Sequence, residues 1–103
     1  LPRHRVIPAD GVYITRVFVD ETFYPAVTDI GCKPTVSQGA EKICESHLLA
    51  PGADLYGREI TVSFLARIRD EQRFPNAEAL GSRIALDVAA AKRYFEAHPA
   101  VLL

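Results

Sequence analysis

The residue types best able to do chemistry in this 103-residue chain gather in two short stretches, residues 44–49 and 69–74. In the first, Glu45 alternates with apolar Ile43 and Leu49, so the three share one face of an extended segment. A carboxylate on an apolar face can accept a proton from a bound hydroxyl if that face lines a cavity. On the residues alone, an ordinary solvated strand glutamate fits the pattern better. His47 reads as a structural histidine satisfied by a neighbour, and Cys44 as packing. In the second stretch, Phe74 offers a ring for stacking, while Arg69 and Gln72 offer donors for the polar edge of a planar ligand. The competing readings are a solvated strand end for Arg69 and a hydrophobic anchor for Phe74. Asp70-Glu71 and the arginines around them read as a solvated loop.

These stretches need elements to hold them. Pro8-Ala9-Asp10-Gly11 is a turn signal, and residues 12–20, rich in β-branched and aromatic types, read as a strand. A short reversal at Asp20-Glu21-Thr22 leads into a second strand over residues 23–30, giving a hairpin. Pro25 has no N–H to give to a ladder and marks a bulge or an edge position. Residues 31–41 read as loop, 42–49 as strand, and Pro51-Gly52-Ala53-Asp54 as a turn. Residues 59–69 alternate most clearly, with Ile60, Val62, Phe64, Ala66 and Ile68 on one side and only Leu65 breaking the polar side. Asn76 is placed to cap a helix that His98-Pro99 ends. Leu80, Ile84, Val88, Ala91 and Phe95 form its apolar stripe, with Arg83, Asp87, Lys92 and Glu96 expected on the surface. Strands followed by one terminal helix imply an antiparallel sheet or barrel with the helix packed on it.

The bulk numbers exclude several classes. Hydrophobic residues make up 49% of the chain, enough for one small core, and the formal net charge of −1 advertises no nucleic-acid surface. There is no apolar run long enough for a membrane span and no signal peptide, so a cytoplasmic protein is expected. Cys32 and Cys44 match neither a CxxC pair nor a zinc set and read as reduced, partly buried thiols. P-loop, GxGxxG and HExxH motifs are absent. The chain contains no methionine, so it is expected to be a fragment, a processed chain or an excised piece.

Five phrases go further. Pro8-Ala9-Asp10-Gly11-Val12-Tyr13 resembles the "P-x-D-G-V-Y" opening of the riboflavin kinase family. Residues 24–35, from Tyr24-Pro25 through Ile30-Gly31 to Pro34-Thr35, are similar to its "Y-P-x-V-x-N-I-G-x-x-P-T" segment, with Asp29 where the family has Asn. Cys44-Glu45-Ser46-His47-Leu48-Leu49 resembles its "E-x-H" strand, and Asp54-Leu55-Tyr56-Gly57 its "D-L-Y-G" phrase. Arg69-Asp70-Glu71-Gln72-Arg73-Phe74 resembles "R-x-E-x-x-F", with the helix phrase Ile84 to Asp87 behind it. The five occur in order across nearly the whole chain.

This resemblance implies a small antiparallel Greek-key β-barrel with a C-terminal α-helix. It implies transfer of the γ-phosphoryl of ATP to the ribityl 5′-hydroxyl of riboflavin, giving FMN and ADP. Glu45 then matches the catalytic base, Arg69, Gln72 and Phe74 the flavin loop, and Leu48 and Tyr56 positions near the adenine, although plain barrel packing remains open for both. The family's Gly-rich Pro-Thr-Ala-Asn motif, which holds Mg2+ and the ATP phosphates, has no counterpart in residues 1–7. No metal ligand is therefore assigned, and the barrel is expected to lack its first strand. An adenylyltransferase domain is a possible partner within a longer bifunctional protein. The alternative is a non-catalytic flavin- or nucleotide-binding or assembly barrel.

Overall fold

A computed structural model describes residues 9–35, 39–49 and 59–103. Its elements run β1 (Gly11–Val19), β2 (Thr22–Thr35), β3 (Gly39–Leu48), β4 (Thr61–Arg69), helix α1 (Ala77–Ala97) and a closing 3-10 turn at Pro99–Leu102. The strands form one antiparallel sheet in the order β3-β2-β1-β4. Three hairpin-connected strands with the fourth returning beside the first is the Greek-key order. Closure of this sheet into a barrel is not seen among the described residues. The expected turn at residues 51–54, and Tyr56, lie outside them.

The β1–β2 hairpin turns on Asp20 and Glu21, with φ of 50° and 62°. Two left-handed residues between paired Val19 and Thr22 make the tight reversal whose twist matches the strands. At the other end, Gly11 has φ of 156°, and a Cβ there would lie 2.8 Å from Arg67 Nη2 and 3.0 Å from the Arg69 carbonyl oxygen. Only glycine takes that backbone and leaves that room.

Pro25 sits in β2 opposite Arg16, on an interior strand. Its carbonyl accepts from Leu49 N at 2.9 Å, just past the end of β3. N and C=O of one strand residue point the same way, so the missing N–H faces the end of β3 and costs the ladder little. The loop expected over residues 31–41 is instead mostly strand. β2 and β3 continue pairing from Gly31↔Ile43 out to Thr35↔Gly39. Cross-strand pairing overrides the low strand propensity of Gly31, Pro34 and Gly39.

Both faces of β1 are buried, which explains its nearly unbroken apolar run. On one face, Val12, Ile14 and Val27 pack with Ala91 and Phe95 of α1, joined by Leu65, Ala66 and Ile68 of β4. On the other, Thr15, Val17, Thr28 and Ile30 are buried, and hydroxyls link three strands, Thr15 to Thr28 at 2.8 Å and Thr28 to Ser46 at 2.7 Å. The strict alternation expected for residues 59–69 is broken twice. The β1–β4 register skips Leu65 and Ile68, so each is an extra residue on β4. The first bulge accounts for Leu65, which packs with the helix-side core. The second lets Ile68 join that core while Arg69 still pairs with Val12.

Asn76 caps α1 as its position predicts, its Oδ1 accepting from Ala79 N at 2.8 Å. The apolar stripe divides in two. Ala91 and Phe95 are core, whereas Leu80 and Ile84 remain substantially exposed. Asp87, expected on the surface, is instead 2% exposed. Four residues before Ala91 on the same helix, it lies within the stripe, and a cation from the sheet compensates its burial.

Candidate functional site

Between the sheet and the first half of α1 lies a cavity of about 480 Å3, within the range of roughly 300–1,000 Å3 typical of small-molecule sites. The sheet supplies Val12, Val27, Asp29, Glu45, His47 and Arg69 to its wall. The β4–α1 segment supplies Glu71, Gln72 and Phe74, and α1 supplies Leu80, Ile84, Asp87 and Val88. The exposed apolar residues of the helix stripe are thus the cavity wall. Such a wall, with a few polar groups converging on it, suits a largely planar organic ligand.

Glu45 pairs across the strands with Asp29, so the two carboxylates lie side by side on the cavity face. Glu45 is exposed to this space, and the same space reaches Arg69, Gln72 and Phe74. The two stretches picked out in the sequence therefore meet, although 24 positions separate Glu45 from Arg69. Leu48, opposite Ala26 and one residue past His47, belongs to the other face of the sheet and is not part of the cavity wall. Cys44, expected to be partly buried, is exposed.

Arg69 is not a solvated strand end. Its Nε donates to Asp87 Oδ1 at 3.0 Å and Oδ2 at 3.2 Å, and its Nη2 donates to Oδ2 at 2.8 Å. The side chains are 12% and 3% exposed, and Arg83 Nε adds an ion-pair contact at 3.4 Å. The hydrogen bonds to Asp87 hold the guanidinium above its ordinary pKa, against the opposing effect of burial. The remaining nitrogen, Nη1, donates to the Asp70 carbonyl at 3.0 Å and reaches Gln72 Oε1 at 3.5 Å. The guanidinium carbon lies 5.8 Å from the centre of the Phe74 ring. One arginine thus ties the helix, the strand end and the following segment together.

Glu71, expected in a solvated loop, folds back onto β2. Its carboxyl carbon lies 3.0 Å from where a Cβ on Gly31 would stand. A hydrogen bond to Asp29 first, then burial and the Asp29 charge, push its pKa up to about 7, against the pull of Arg69. Reading the sequence missed Asp29, Glu71 and Asp87 as site residues. The signal available for Asp87 was its place within the apolar stripe.

Among the described residues, no group of three or more His, Cys, Asp or Glu side chains is placed to hold a metal ion. The Pro-Thr-Ala-Asn motif through which the resemblance implies Mg2+ binding has no counterpart among them. Among the same residues, no helix is long and apolar enough to cross a membrane.

A Greek-key antiparallel sheet with a helix folded over one face defines a β domain whose carboxylate-lined cavity has the size of a small-molecule site. The chain belongs to the riboflavin kinase (flavokinase) family, which it matches over residues 1–95. It is 43% identical over 90 residues to a bifunctional riboflavin kinase/FMN adenylyltransferase of Pseudomonas fluorescens, covering 87% of this chain and 29% of that protein. The Escherichia coli K12 protein of the same description is 42% identical over 94 residues, covering 90% of this chain and 30% of the relative. An RNA-binding riboflavin kinase, RibR of Bacillus subtilis, is 38% identical over 87 residues, covering 84% and 38% of the two chains. A crystal structure described as a macrolide-efflux protein from Streptococcus pneumoniae superposes with a TM-score of 0.76 at 30% identity, covering 84% of this chain and 28% of that one. The chain spans about 30% of the length of the two bifunctional relatives.

Proposed function

We propose that this chain carries the riboflavin-phosphorylating function of its family, with the cavity between β1–β3 and α1 as the flavin site. The observation that carries the proposal is the presence of Glu45 on the same cavity wall as Arg69, Gln72 and Phe74. A primary alcohol is a poor nucleophile at neutral pH, so transfer needs in-line positioning and an acceptor for its proton. In this reading the ribityl 5′-oxygen forms a bond to the γ-phosphorus of ATP while the bond to the β,γ-bridging oxygen breaks. Glu45 takes the hydroxyl proton, and FMN and ADP leave. Phe74 and the apolar helix residues Leu80 and Ile84 support the flavin ring, and Gln72 faces its polar edge. Arg69, engaged by Asp87, acts by holding that segment in place.

The resemblance alone assigns Leu48 and Tyr56 to the nucleotide side, together with a Mg2+ ion held by residues other than those described. It also supports an adenylyltransferase domain elsewhere in a longer protein, and a cytoplasmic location. The test is FMN formation from riboflavin and ATP by the full-length product, with Glu45→Gln alongside. The proposal expects turnover in the parent protein and a loss of about a hundredfold or more in the variant. Unchanged turnover in Glu45→Gln would remove Glu45 from the reaction.

A further inference from the structure

The segment between β4 and α1 brings Gln72 and Phe74 to the cavity. Among the described residues, no main-chain hydrogen bond ties residues 70–75 to the sheet. Side chains hold it instead. Near β4 these are Arg69 Nη1 on the Asp70 carbonyl and Arg67 Nη1 on Asp70 Oδ1 at 2.8 Å. The attachment to β2 is Glu71 against Asp29, and the bare backbone of Gly31 makes room for it. Two carboxylates are both acceptors and cannot bond each other unless one carries a proton. Asp29 Oδ1 is buried and finds no hydrogen-bond partner among the described residues. A proton on the facing carboxyl is the donor that this arrangement lacks.

We propose that Asp29 and Glu71 are positioning residues, and that a proton carried by Glu71 closes a clasp that holds residues 70–75 against β2 so that Gln72 and Phe74 face the ligand. The ligand named is riboflavin, which rests on the function proposed above; the clasp itself does not. Among the described residues, the charged and titratable groups around Glu71 are Asp10 ahead of β1, Asp29 on β2, Glu45 and His47 on β3, Arg69 on β4 and Asp87 on α1.

The sign follows from proton linkage. The clasped segment holds its proton up to about pH 7, whereas a released Glu71 loses it near its ordinary value of 4.5. Clasping takes up a proton between those limits, so raising the pH through that window loosens the segment, with no further change above it.

The measurements are amide hydrogen exchange of residues 70–75, expressed as protection factors, and riboflavin affinity from flavin fluorescence, on the full-length protein at about pH 5.5 and about pH 7.5. Protection and affinity should both fall by roughly tenfold at the higher pH, the worth of one pKa unit once exposure is discounted. Asp29→Asn and Glu71→Gln each supply an amide donor that does not titrate, so either should flatten both profiles. His47→Gln, on the same cavity wall, should keep the parent slope. Equal protection at both pH values in the parent would overturn the clasp, as would a slope that survives in both amide variants or vanishes in His47→Gln. Protection that varies as expected in a protein that binds no riboflavin at either pH would support the clasp and overturn the proposed function.

Discussion

Replacing Asp87 with Asn should be among the most damaging conservative changes in this domain. Asp87 accepts three contacts from Arg69 at 2.8–3.2 Å, between side chains 3% and 12% exposed. Removing one charge of a buried pair costs about 3–5 kcal/mol, because the other charge stays buried without compensation. Here Arg69 keeps the Asp70 carbonyl and borders a cavity open to water, so the lower end applies, about 3 kcal/mol. In a domain of this size each kcal/mol shifts the Tm by roughly 4–8 °C, so a drop of roughly 12–24 °C is expected. Urea unfolding followed by circular dichroism gives the free energy directly. The double variant Arg69→Met/Asp87→Leu fills the same space without charge and should recover most of the loss. If Asp87→Asn unfolds within about 0.5 kcal/mol of the parent, a range usual for exposed sites, the pair is solvated and does not anchor the segment after β4.

Other changes test separate parts of the structure by the same unfolding assay. Gly11→Ala should cost more than about 1 kcal/mol, since the new Cβ meets Arg67 in a backbone conformation suited to glycine; a neutral result would refute that geometry. Thr28→Val removes the middle hydroxyl of the Thr15–Thr28–Ser46 chain and leaves buried Thr15 without that partner, for a loss of about 1–3 kcal/mol. Asn76→Ala deletes the cap on Ala79 N and should cost about 1 kcal/mol. Glu45→Gln, on an exposed strand position, should leave stability within about 0.5 kcal/mol while abolishing most FMN formation. A variant that unfolds instead would make Glu45 a structural residue.

Much of this protein was legible in local chemistry. The hairpin follows from an apolar strand, a polar pair able to take left-handed backbone, and a second strand. The helix follows from Asn76, the apolar stripe and His98-Pro99. The two stretches that meet at the cavity were singled out by their resemblance to family phrases, since the residues alone favoured a solvated strand glutamate at Glu45. The reach of β2 and β3 to Thr35 and Gly39 was not legible, because glycine and proline signal a loop unless a partner strand pairs them.

The sequence by itself determined the order of the strands and the helix, the hairpin turn and the core end of the helix stripe. Each of these depends on the side-chain types and on periods of two or 3.6 residues, which are properties of neighbours in the chain. Only the tertiary structure decided where the polar groups of the cavity point. The bulge at Leu65 shifts the following residues by one position, and the second bulge at Ile68 returns Arg69 to the helix face, where it pairs with Val12 and meets Asp87. The approach of Glu71 to Gly31 and Asp29 likewise arises between elements far apart in sequence. Each bulge is set by packing on both sides of the strand, so no local pattern specifies it.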